Sequence, residues 1–150
     1  MKRIALFTGS FNPFTIGHKS IVDRALPLLD EIVVGIGINP AKEAADSVDE
    51  RVANIEKIWR NEPKVKVTAF SGLAVDAARQ HGAQFLLRGV RTSQDYEYEK
   101  NMANVNRRLA GIETILIPTL PELEHVSSTL ARELQRFGKN ADFLLPQDNE

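Results

Sequence analysis

Five short runs of apolar residues, rich in β-branched and aromatic types, recur along this chain: RIALF (3–7), EIVVGIGI (31–38), KVKVTAF (64–70), QFLLRG (84–89) and ETILIP (113–118). Between them the apolar residues return at helical spacing instead. Ile21, Val22, Ala25 and Leu28 or Leu29 form one such stripe, with Pro27 disturbing its last turn. Ser47 to Glu50 has capping-box spacing ahead of Val52, Ile55, Ile58 and Trp59. LAVDAARQHG closes at Gly82, the region 94–109 carries Tyr98, Met102, Val105 and Leu109, and SSTLARELQRF (127–137) stops at Gly138. Strands separated by helices must lie parallel, because each helix carries the chain back to the same end of the sheet. The expected fold is therefore a single-domain, doubly wound α/β structure with a five-stranded parallel sheet.

The chain is 150 residues long, enough for one domain that buries about 70% of its unfolded surface. Nineteen basic residues stand against 20 acidic ones, for a net charge of −1. No whole-molecule field then favours nucleic acid or an anionic membrane, and neither is expected as a partner. There is no cysteine, which excludes disulfides, thiolate metal sites and a thiol nucleophile. The apolar run 4–7 is far too short for a signal peptide, and no stretch approaches the length of a membrane span, so a cytoplasmic location is expected.

Parallel sheets of this kind bind ligands beyond the carboxyl ends of their strands, and those ends are where the unusual residues lie. The first is TGSFNPFTIGHKS: Gly9 and Ser10 permit close backbone approach, Pro13 stiffens the turn, and Gly17-His18 opens a helix whose free N–H groups favour an anion. His18 can donate to a phosphate oxygen there; equally, it can cap the helix or fill the turn. The second end carries Lys42, an ordinary solvated residue if taken alone, and the third offers backbone approach at Gly72. The fourth, RGVRTSQDYEYE, sets Arg88 and Arg91 around a glycine, as a phosphate clamp would. Asp95, Glu97 and Glu99 then suit a helix N-terminus. At the fifth end Ser127, Ser128 and Thr129 stand where they can cap the last helix or donate hydroxyls. Phosphate-binding chemistry at four of five strand ends is a pattern that chance rarely produces.

The stretch from Gly9 to His18, GSFNPFTIGH, resembles the G-[ST]-F-[DN]-P-x-[TH]-x-G-H signature of the nucleotidyltransferase superfamily, whose fold is Rossmann-like. The block from Arg88 to Glu99 resembles the R-G-[LV]-R-x-x-x-D-[FY]-E-Y-E segment of bacterial phosphopantetheine adenylyltransferases, and Ser127-Ser128-Thr129 is similar to their serine segment before the last helix. The resemblance spans essentially the whole chain. It implies transfer of AMP from ATP to 4′-phosphopantetheine, giving dephospho-coenzyme A and pyrophosphate, with Mg²⁺ carried by the ATP phosphates rather than by a protein metal site, and assembly as a homohexamer. It further implies that His18 contacts the ATP phosphates and stabilises the transition state. Ser10 would lie between the substrates and Phe11 beside the nucleotide. Lys42 and Arg88 would hold the acceptor phosphate, with Ala74 near it. Gly89, Val90, Arg91, Glu99, Leu123, Glu124, His125, Val126, Ser127, Ser128 and Thr129 would bind ATP.

The chemistry is self-consistent. A phosphate monoester has a second pKa near ~6, so the attacking group is already largely a dianion at neutral pH and requires no general base. Two polyanions must instead be brought into line and their charge neutralised, work for Lys42, Arg88, Arg91 and His18. Two alternatives share parts of the pattern. Nicotinate or nicotinamide mononucleotide adenylyltransferases carry GSFNP and SST segments but usually have longer chains and lack the RGVR–DYEYE block. A nucleotide-binding regulator on this fold would be expected to have lost His18, Lys42 or Arg91, and all three are present.

Overall fold

The computed structural model describes residues 1–39 and 47–147, so Lys42 lies outside the described residues. Its strands are β1 (Ile4–Gly9), β2 (Glu31–Gly37), β3 (Val65–Phe70), β4 (Phe85–Val90) and β5 (Glu113–Pro118). They alternate with α1 (Ile16–Ala25), α2 (Val48–Ile58), α3 (Ala74–Gln80), α4 (Ser93–Ala110) and α5 (Ser128–Arg136). All pairings are parallel and the strand order is β3-β2-β1-β4-β5. The chain thus winds outward through β2 and β3, then crosses back to place β4 on the other side of β1. The switch point lies between β1 and β4, and the expected α/β fold is the one observed.

Alternation along the strands divides the core in two. Ala5, Phe7, Ile32, Val34 and Leu87 face α1 and α2, where Ile21, Val22, Ile55 and Ile58 meet them. Leu6, Val33 and Leu86 face the opposite layer, against Val75, Ala77 and Ala78 of α3. Pro27 converts the end of α1 into a 3₁₀ turn, and of the two leucines after it Leu29 is buried while Leu28 is exposed. Ser47 caps α2 through a bond from the Glu50 N–H at 3.1 Å, but the reciprocal box forms elsewhere, between Thr15 and His18.

One helix is turned the other way from the expected reading. The apolar stripe of α4 does not bury: Tyr98 is 62% and Leu109 61% exposed, with Met102 and Val105 also at the surface. Toward the sheet α4 presents Glu99, Ala103, Asn106 and Ala110 instead. Small residues let the helix approach closely, and Glu99 is drawn inward by a charge partner on β4. Among the described residues no helix is long and apolar enough to cross a membrane.

Candidate active site

The carboxyl ends of β1 and β4 open into a cleft of about 330 Å³. Three of the five strand ends converge on it. The first supplies Thr8, Gly9, Ser10 and Phe11; the fourth supplies Arg88, Gly89 and Arg91; beyond the fifth come Thr119, Val126, Ser127, Ser128 and Thr129. The starts of α1 and α5 both face this space, so two sets of unpaired helix N–H groups point into one hollow. Among the described residues no carboxylate lines it, and no group of three His, Asp or Glu could hold a metal ion.

His18 both caps the helix and lines the cleft. It occupies the third position of α1, and its Nδ1 accepts the Thr15 backbone N–H at 2.9 Å while the Thr15 hydroxyl takes the His18 N–H at 3.4 Å. An Nδ1 that accepts cannot carry the proton of the neutral ring, so the hydrogen belongs on Nε2. The rings of Phe11, Phe14 and Phe7 surround the imidazole at 5.0, 5.1 and 6.3 Å. Burial, then the Arg88 and Arg91 cations, push its pKa down to about 4. At neutral pH His18 is therefore an uncharged donor through Nε2–H.

Local sequence explains the turn ahead of it. The Asn12–Pro13 peptide is cis and Phe11 sits at φ 47°. Gly9 is needed here, because a Cβ on it would stand 2.7 Å from the Phe11 ring. Ser128 Oγ donates to the Pro13 carbonyl at 2.7 Å, and Arg132 Nη1 donates to the Asn12 carbonyl at 2.5 Å. Ser127 is the cap of α5, its Oγ accepting from Leu130 N–H at 3.0 Å. The three residues expected as caps or free hydroxyl donors thus divide: one cap, one brace on the turn, and Thr129, whose hydroxyl accepts from Arg132 at 3.3 Å.

Arg88 lies in the wall between the cleft and a smaller hollow of about 180 Å³ that Ala74, Met102 and Asn106 also line. Its Nε donates to both Glu99 oxygens at 3.0 and 2.9 Å, and its Nη1 reaches the Thr8 carbonyl and hydroxyl. Glu99, expected among the nucleotide contacts, is only 6% exposed and stands behind Arg88 on the side of the smaller hollow. Arg91 is exposed, with Asp95 accepting its backbone N–H at 3.1 Å. Val90, Leu123, Glu124 and His125 do not line the cleft; Leu123 packs with Val126, Ala131 and Leu144, and Glu124 and His125 face solvent. Thr8, Ile21 and Thr119 line it without having been expected. Only their nearness to strand ends, or for Ile21 to His18 by one helical turn, could have pointed to them.

A family model described as cytidylyltransferase-like matches residues 6–134. A phosphopantetheine adenylyltransferase of Phocaeicola vulgatus is 52% identical over 97% of this chain and 96% of its own length. One from Bacteroides fragilis is 49% identical over 99% of each chain. The chain belongs to the phosphopantetheine adenylyltransferase family. Solved structures extend the likeness at the level of fold alone. A bifunctional NMN adenylyltransferase/ADP ribose pyrophosphatase from Francisella tularensis, complexed with AMP and a manganese ion, superposes with a TM-score of 0.73 at 15% identity, over 99% of this chain and 46% of that one. A lipopolysaccharide core biosynthesis protein from Thermoplasma volcanium gives 0.57 at 18% identity, over 80% of this chain and 98% of that one. The phosphopantetheine adenylyltransferase relatives, by contrast, are matched almost end to end.

Proposed function

We propose that this chain transfers AMP from ATP to 4′-phosphopantetheine, releasing pyrophosphate and forming dephospho-coenzyme A. The observation that carries the reading is near-full-length identity of 52% and 49% to relatives bearing that name. A mononucleotide adenylyltransferase or a non-catalytic regulator is not favoured.

The triphosphate would lie across the two helix N-termini, with its oxygens taking bonds from Nε2–H of His18, from Arg91 and from the N–H groups that open α5. Gly89 and the segment Val126, Ser127, Ser128 and Thr129 would hold the rest of the nucleotide, Phe11 its near side. The acceptor phosphate would sit at Arg88 and Lys42, with Ser10 between the two substrates and the pantetheine arm running toward Ala74 in the smaller hollow. Glu99 serves through Arg88, orienting the guanidinium rather than touching ATP. The acceptor arrives as a dianion, so attack at the α-phosphorus needs no base. A neutral donor suits this step: His18 Nε2–H can follow the charge that builds on the bridging oxygen as pyrophosphate leaves, without having bound the ground state as strongly as a cation would. Magnesium would enter on the ATP phosphates as part of the substrate, supplying charge neutralisation; a cleft that, among the described residues, offers hydroxyls and N–H groups but no carboxylate fits an ion held by phosphate and water.

We place the enzyme in the cytoplasm and read the exposed apolar face of α4 as the surface on which it forms homo-oligomers, a hexamer by likeness to the family. The deciding assay is pyrophosphate release with ATP, magnesium and 4′-phosphopantetheine, run beside nicotinate and nicotinamide mononucleotides. Turnover confined to phosphopantetheine is expected. Release with a mononucleotide alone, or with no acceptor, overturns the reading.

A further inference from the structure

Arg51 stands on the inner face of α2, one turn before Ile55, and only 9% of it is exposed. Arginine is rarely buried this far without a carboxylate beside it. Among the described residues it has none: Nη1 donates to the Ser10 carbonyl at 2.7 Å, and the buried Nε has no hydrogen-bond partner. As a way of stabilising a fold this is poor, because a largely buried cation with one neutral acceptor, bordering only a second hollow beside Asn12 and Arg132, gains less than an apolar side chain of similar volume. Positions that break a local rule in this way gather where function requires them.

We propose that Arg51 is a positioning residue for adenylyl transfer, an inference that rests on the function proposed above. What it fixes is the Ser10–Phe11 peptide. That bond is trans, so its N–H points opposite to its C=O. With the carbonyl drawn toward Arg51 on α2, the Phe11 N–H turns away from that guanidinium, and both Ser10 and Phe11 line the cleft. Phe11 itself holds φ 47°, a region costly for a bulky side chain and kept only where the surroundings over-determine it. Its ring stands 5.0 Å from both Phe14 and His18, so a shift of this peptide is passed directly to the imidazole. Arg132 and Ser128 tie the Asn12 and Pro13 carbonyls from α5. Arg51 is the tie on the α2 flank, buried and bonded to the Ser10 carbonyl. A displacement near ~1 Å at a reacting group can cost roughly 100-fold in rate.

The test compares Arg51→Met and Arg51→Lys in the full-length protein. Arg51→Met should lower kcat roughly 10- to 100-fold and move the KM for phosphopantetheine by less than about threefold, with a melting temperature no lower than that of the wild type. Arg51→Lys, which keeps one donor for the same carbonyl, should recover most of the loss. Wild-type kcat in Arg51→Met overturns the proposal, as does a fall in kcat matched by loss of folded protein that lysine does not restore. The Phe11 amide resonance supplies a readout independent of turnover. It must shift in Arg51→Met and return in Arg51→Lys, and an unmoved resonance overturns the proposal. If the wild type fails to use phosphopantetheine, the proposed function falls, and the resonance still decides whether Arg51 sets this peptide.

Discussion

Replacing His18 by glutamine separates its two tasks. Glutamine ordinarily serves at the third position of a capping box, so its Oε1 can continue to accept the Thr15 N–H. It cannot reproduce the Nε2–H that the imidazole turns toward the cleft. Alanine loses both, and because Thr15 is only 1% exposed, its N–H would be stranded, at a cost of about 1–3 kcal/mol. Both variants should therefore lose about 10²- to 10³-fold in kcat, as on removal of a preorganised donor, while only the alanine variant loses stability at neutral pH. Acid then distinguishes histidine from glutamine. Unfolded His18 takes up a proton near 6.5, whereas the folded ring resists until about 4. Across that window the unfolded chain binds more protons, so this contribution is complete above pH 6.5 and is lost as the pH falls toward 4. At about 1.4 kcal/mol per tenfold, the gap corresponds to about 3 kcal/mol, and partial exposure at the cleft reduces it to about 2–3 kcal/mol. Urea unfolding followed by Trp59 fluorescence at several pH values measures it. The wild type should lose that much more stability than His18→Gln between neutral and acid pH. Parallel stability curves for the two proteins would refute the assignment of a buried, neutral imidazole.

Glu99→Gln leaves Arg88 without its carboxylate, so the guanidinium is expected to lose its fixed direction; KM for phosphopantetheine should rise about tenfold with a smaller change for ATP, measured by steady-state kinetics. Gly9→Ala sets a methyl 2.7 Å from the Phe11 ring, and the variant should be about 1–3 kcal/mol less stable and slower in turnover, by denaturation and pyrophosphate release. Leu109→Glu puts a charge on the apolar face of α4, and light scattering should show a smaller particle than the wild type at equal concentration.

Strand positions were readable because parallel strands buried on both faces leave unbroken apolar runs, which glycine and proline punctuate. The cleft was readable in outline for a related reason: once the sheet is parallel, its carboxyl ends are few, and Ser10, His18, Arg88, Arg91 and Ser127–129 all stand at them. Periodicity could not reveal which face of α4 turns inward. An apolar stripe states that a helix seeks cover, and says nothing about whether its own chain supplies that cover. Glu99 illustrates the same gap, because a carboxylate near a helix start reads as a dipole partner until the strand beside it is known to end in arginine. Arg51 could have been noticed: it lies on the Ile55–Ile58 face at helical spacing, where a charged residue conflicts with the pattern. The carbonyl it serves lies 41 residues away and is beyond any local signal.

If the proposed oligomer forms on the exposed face of α4, concentration becomes a variable of the chemistry. One side of that helix carries Glu99, which aims Arg88; the other carries Tyr98, Met102, Val105 and Leu109, which seek a neighbour. In the proposed oligomer a neighbouring copy would cover that second side and steady the helix further. Dilution that strips away neighbouring copies should then be felt first by the acceptor, through the aim of Arg88, while the nucleotide end, held by α1 and α5, keeps its grip. The protein's own abundance would in that way set how well it grips phosphopantetheine before it sets how well it grips ATP.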